Sequence, residues 1–164
     1  MSDNVLTPNS IILGEHEYTM TLDLVIAEAQ QTLLIFDQDF STGGYRSIKR
    51  YDAIHVFLNK QPTSKVTIIL QSADFFTTQC PRLFELLTTY SHKMTVYETN
   101  SRAKVAKDCF ILADSKSYIR RFHIDQARFK FMLDDQETTA SLADRFDELM
   151  QETAHTISVA KLGL

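Results

Sequence analysis

The sequence predicts a mixed α/β domain in which a mostly parallel β-sheet is sandwiched between helices. Three observations carry this reading. Helical and strand-like apolar patterns alternate over the first hundred residues, three strand-like segments then crowd between Cys109 and Leu133, and an amphipathic helical pattern closes the chain. A doubly wound parallel sheet would keep alternating to its end. The late run of strands instead brings antiparallel neighbours into the same sheet.

Each element has its own signal. Residues 1–17, with Thr7-Pro8-Asn9-Ser10 and Gly14, read as an N-terminal arm holding one short strand at Ile11-Ile12-Leu13, and residues 18–164 as a single domain. Tyr18 to Gln31 is helical, with Met20, Leu22, Leu24, Val25, Ala27 and Ala29 as its apolar positions, and it leads into a buried strand, Thr32 to Phe36, ending at Asp37. Ser41-Thr42-Gly43-Gly44 then breaks the chain. This places a loop at the strand's carboxyl end, where open α/β sheets bind ligands. Ile48 to Asn59 is an amphipathic helix closed by Gln61-Pro62, and Lys65 to Leu70 is the next strand. Pro81 opens a further helix with Leu83, Phe84, Leu86, Leu87 and Tyr90 on its apolar stripe, followed by a strand at Met94 to Tyr97 and a basic loop from Ser101 to Ala106. Cys109 to Ala113, Tyr118 to His123 and Arg128 to Leu133 are the three late strands. The terminal helix is expected from Asp135 to Lys161, presenting Leu142, Phe146, Leu149, Met150 and Ile157, with Asp134, Asp135 and Glu137 suited to the positive end of its dipole.

Composition narrows the function classes. At 164 residues, 44% hydrophobic and 23% charged, the chain can bury one full core. No apolar run approaches the roughly 20 residues that span a bilayer. Met1-Ser2-Asp3-Asn4 lacks the basic, then apolar start of a signal peptide, so a cytoplasmic protein without membrane contact is expected. Cys80 and Cys109 form no Cys-x-x-Cys pair, and His16, His55, His92, His123 and His155 are scattered, so neither a disulfide nor a metal site nor a cofactor is expected. Asp37 and Asp39 could reach one magnesium across a turn, but carboxylates in such a position more often cap the loop. Ser41 to Arg46 lacks the Gly-Lys-Ser/Thr ending of a phosphate loop, and no nucleophile elbow or dinucleotide fingerprint is present.

Charge is unevenly spread. The net charge is −4, which argues against a protein that coats nucleic acid with its whole surface. Between Lys93 and Lys130, however, nine basic residues face four acidic ones, so that segment is +5 and the remainder −9. A local anion-binding face or a set of solvated loops would each produce this pattern.

The segment Lys107-Asp108-Cys109-Phe110-Ile111-Leu112-Ala113-Asp114 has the frame of a known catalytic signature. It resembles the His-x-Lys-x-x-x-x-Asp motif of the phospholipase D superfamily, with Lys107 at the His position, Cys109 at the Lys position and Asp114 at the Asp position. The order of elements over roughly residues 18 to 155 also resembles one repeat of that superfamily. Asp37 falls where relatives carry an acidic residue, and Tyr118-Ile119-Arg120 resembles the strand after the motif in a small non-catalytic bacterial branch.

The resemblance implies a phosphodiesterase fold whose chemistry is lost. An ammonium at Lys107 has no lone pair for attack on phosphorus unless a special pocket lowers its pKa. Cys109 removes the positive charge that would stabilise phosphate oxygens. Family members also use two motif copies, from an internal repeat or a dimer, and the chain holds only one frame of the motif. A homodimer is therefore implied by resemblance.

Three functional readings follow. In the first, the domain is a non-catalytic module that binds a protein partner. In the second, a retained cationic cleft of Lys107, Arg120 and Lys104 binds a phosphate ligand or nucleic acid. The third is an enzyme with altered chemistry at Cys109 or Asp114. The remnant site in all three is Lys107, Cys109 and Asp114, with Asp37 and Arg120 as neighbours. Arg120 or Arg121 would either hold phosphate bidentately or tie Asp114 in a buried pair.

Overall fold

A computed structural model describes residues 6–158. The start of the expected arm and the last residues of the expected terminal helix, from 159 on, lie outside the described residues.

Among the described residues, eight strands form one sheet in the order β1-β7-β6-β5-β2-β3-β4-β8. In chain order the elements are β1 (Ile12–Leu13), α1 (Glu15–Glu28), β2 (Thr32–Asp37), α2 (Ile48–Leu58), β3 (Lys65–Leu70), α3 (Asp74–Gln79), α4 (Pro81–Thr89) and β4 (Met94–Thr99). A 3-10 turn (Ser101–Val105) leads to β5 (Cys109–Ala113), β6 (Ser117–His123), β7 (Gln126–Met132), α5 (Gln136–Met150) and β8 (Thr153–Ile157).

The mixed α/β class holds, but the sheet is mostly antiparallel rather than mostly parallel. Only β2–β3 and β3–β4 are parallel pairs, and both are joined through helices. The other five pairings run antiparallel. The reason is connection length. Three residues join β5 to β6 and two join β6 to β7, far fewer than the dozen or so a parallel crossover needs.

The terminal helix also needs correction. It ends at Met150, and Thr153–Ile157 forms β8, antiparallel to β4 with Ile157 opposite Val96. β-Branched Thr153, Thr156 and Ile157 favour a pleated edge over a further helical turn. Residues Leu142, Phe146 and Leu149 keep their expected inward stripe. At the other end, α1 begins at Glu15, ahead of the expected Tyr18, with Glu15 and Glu17 in its first turn. The short helix α3 had no strong periodic signal.

The two faces of the sheet are covered unequally. On one side α1, α2 and α4 bury Leu22, Ile26, Ile54, Phe57 and Leu83 against Leu33, Ile35, Ile68 and Ile111 of the strands. On the other, α5 buries Leu142, Phe146 and Leu149 against Phe36, Ile69, Phe110, Leu112 and Tyr118. Successive residues of β2 and β5 alternate between these cores, as the pleat requires.

Candidate functional site

The antiparallel register of β2 and β5 determines what remains of the motif. Phe36 pairs with Phe110, so Asp37 and Cys109 stand side by side one step further on, and Cys109 pairs with Arg121 of β6. Asp37, Cys109 and Arg121 thus form a row across three strands beneath α1, each about 1% exposed.

Every member of that row is tied down. Arg121 makes a bidentate pair with Glu15 of α1, at 2.7 and 2.9 Å, and donates to the carbonyls of His123 and Ile124. Its guanidinium also sits 5.0 Å from the Tyr18 ring centre. Asp37 Oδ2 accepts from the Phe40 backbone N–H at 2.6 Å. The Cys109 thiol is the carboxylate's other polar neighbour, a weak donor that leaves the buried Oδ1 without a well-formed hydrogen bond. Burial raises the Asp37 pKa to about 6. Burial, and then the Asp37 charge, raise the Cys109 thiol well above its ordinary value.

The loop after β2 packs inward over this row. Phe40 takes a left-handed backbone conformation (φ 73°) and stacks on Tyr45 at 3.9 Å, with both rings buried. Gly43 lies so close to α1 that a Cβ there would come within 2.7 Å of Leu22. Asp39 Oδ1 accepts from the N–H and hydroxyl of Ser41. Both aspartates therefore cap the loop. Among the described residues, no three His, Cys, Asp or Glu side chains are placed to hold a metal.

The remaining motif positions are dispersed. Lys107 is exposed, and among the described residues no hydrogen bond or ion pair engages its side chain. Asp114 follows the opposite end of β5, about 17 Å from Cys109 along the strand. It adopts φ 55°, and its carboxylate accepts the N–H groups of Gln30, Gln31 and Thr32 at 2.8, 2.8 and 3.0 Å. Asp114 therefore anchors the α1–β2 connection. Arg120 pairs with Asp108, not Asp114, at 3.0 Å, and Lys104 donates to the Gln71 carbonyl and to Thr99 Oγ1.

Two important residues lay outside the sequence reading. Asp108, 4% exposed, projects toward α5 and binds Arg145 through both guanidinium nitrogens in addition to Arg120. Burial opposes its ionisation, but hydrogen bonds and charge from Arg145, then Arg120, hold its carboxyl below the ordinary value. Arg145 also lies 5.4 Å from the Phe110 ring centre. The signal was available: Arg145 interrupts the Leu142, Phe146, Leu149 stripe at a core-facing position.

The mixed eight-stranded sheet, with helices packed on both of its faces, matches a phospholipase D-like fold. Solved structures agree on the fold. Nuc of Salmonella typhimurium, a phospholipase D family member, superposes with a TM-score of 0.64 at 8% identity over 91% of this chain and 98% of its own. NucT from Helicobacter pylori gives 0.61 at 17% identity, covering 88% and 96%. TrmBL2, an archaeal chromatin protein, gives 0.66 at 13% identity over 88% of this chain, which spans about half (52%) of TrmBL2. No curated protein sequence matches. The family itself is shown by sequence: the model of DUF7931, a domain of unknown function, matches residues 15–162, and the chain belongs to that family.

Proposed function

We propose that this protein is a non-catalytic phospholipase D-like domain that acts as a binding or protein-interaction module. One observation carries the reading. The position of the family's cationic Lys is held by Cys109, a buried thiol facing the buried carboxyl of Asp37. Neither group is a charged donor for phosphate oxygens, and a thiol with a raised pKa is a poor nucleophile. Asp114, the one matching signature residue, is engaged by three backbone N–H groups. The reading in which Lys107, Arg120 and Lys104 form one cationic cleft has less support, because Lys104 donates to the Gln71 carbonyl and to Thr99 Oγ1. A binding role suits the fold type: TrmBL2 is described as a chromatin protein with its own mode of DNA binding.

Covalent trapping tests the proposal. Incubation with bis(4-nitrophenyl) phosphate should leave the intact protein mass unchanged and release no nitrophenol above the buffer rate. A phosphoryl adduct mapped to Lys107 or Cys109 would overturn it.

A further inference from the structure

We infer that the partly covered half of the sheet on the α5 side, centred on Arg120, Phe122, Arg128 and Lys130, is a binding face for the phosphodiester backbone of a single-stranded nucleic acid. The inference rests on the non-catalytic reading above and places binding away from the remnant motif.

The face follows from topology. Among the described residues α5 is the only α-helix on its side of the sheet, and the apolar cluster beneath it reaches Tyr118 of β6 and Met132 at the end of β7. Beyond it, the α5-side residues of β7 and β1 are only partly covered. Arg128 is exposed, Lys130 and Phe122 are half-buried, Ile11 just before β1 is 52% exposed and Leu13 of β1 is 68% exposed.

The charges on this face are arranged at a cost. Arg120 stands directly opposite Lys130 in the β6–β7 register, and like charges in that position destabilise a sheet. Asp108 offsets Arg120 only in part, because Arg145 binds the same carboxylate. Asp135, whose carboxylate feels the Lys130 charge, is engaged in capping α5, where it accepts from the Thr138 N–H and hydroxyl. An anion seated between Arg120 and Lys130 would relieve this repulsion.

There is space for one. A groove of about 240 Å³ runs between α5 and the β6–β7 pair, lined by Arg120, Lys130 and the hydroxyl-bearing Tyr118, Thr138 and Ser141. That volume suits a phosphate with part of its sugar rather than a whole drug-sized ligand. Phe122 lines the same groove, and Arg128 lies beside it on β7, about 7 Å along the strand from Lys130. The guanidinium carbons of Arg120 and Arg128 are 5.4 and 5.5 Å from the Phe122 ring centre. Two guanidinium planes stacked over an aromatic ring beside a phosphate seat match one nucleotide of a single strand, whose base is free to stack on such planar groups. A duplex would offer its phosphates without its base faces, and a lipid surface would not use these planar groups.

The test is fluorescence anisotropy of the full chain with labelled dT12 and U12 in about 50 mM salt. Saturable binding is expected, weakening as salt rises. Lys130→Glu and Arg128→Glu should each weaken it by about tenfold or more, Phe122→Ala by a similar factor, and Lys107→Ala by less than twofold. Thermal melts of each variant identify unfolded ones, and Lys130→Gln, with an intermediate loss, replaces Lys130→Glu should that variant fail to fold. Absence of saturable binding would overturn the inference. So would tighter binding to a duplex or to anionic phospholipid vesicles, or a loss caused by Lys107→Ala and not by the Lys130 variants. None of these outcomes depends on whether phosphodiesters are cleaved.

Discussion

Asp37 shows how much one residue's environment can alter its role. In the sequence it is an acidic residue ending a strand, more suited to cap the loop than to bind magnesium with Asp39. In the structure it is enclosed beside Cys109, with one oxygen on the Phe40 N–H, and its pKa is about 6. A folded-state pKa above the unfolded value means that Asp37 favours folding most below about pH 4 and loses that contribution as pH rises through about 6. Asp37→Asn should therefore flatten the stability profile between pH 4 and 6 and stabilise the protein at pH 7 by at most about 3 kcal/mol. Urea unfolding at several pH values checks this. Asp114 makes the complementary point. Its survival resembles retained chemistry in the sequence, whereas its three N–H acceptances and positive φ give it a purely local reason to be aspartate. Sequence spacing could not reveal that, because the partners lie more than 80 residues away.

At the level of elements, most of the helices and strands were legible because their apolar periods are clean. Leu142, Phe146 and Leu149 fix α5, and the alternation of Leu33 to Phe36 between two cores fixes β2 as a central strand. The antiparallel late strands β5 to β7 were legible too, but the antiparallel pairing of β5 with β2 and the chain's last element were not. Direction depends on connection length and on which edge each strand joins, and the helical reading of 151–161 overrode the β-branched residues of β8. The attachment of α5 likewise depends on a polar contact invisible in a periodicity reading. Arg145 reaches from the helix to Asp108 at the start of β5, across the rings of Phe36 and Phe110. Asp108→Asn leaves two guanidinium groups short of their counter-charge and should cost about 3 kcal/mol in urea unfolding, more than Arg145→Met, which keeps the aliphatic packing. Equal losses from the two variants would contradict this assignment of the contact.

Across the whole molecule, the sheet is asymmetric in both cover and charge. Among the described residues α1 to α4 close one face and α5 closes part of the other, leaving Arg120, Phe122, Arg128 and Lys130 only partly covered within the segment whose charge is +5 in a chain of net −4. The sequence revealed the basic segment but not its division. Lys104 is exposed but donates to the Gln71 carbonyl, Arg121 is buried and paired with Glu15, and only part of the set shares a surface. No helix among the described residues is long and apolar enough to cross a membrane. We propose that a phospholipase D-like scaffold here carries the buried Asp37–Cys109 pair in place of a catalytic centre. Incubating a 5′-labelled single-stranded oligonucleotide with a large excess of the full chain, and resolving the products over hours on a denaturing gel, tests it most directly. The strand should remain full-length at every time point. Fragments that accumulate with wild-type protein and disappear with Lys107→Ala would contradict the account.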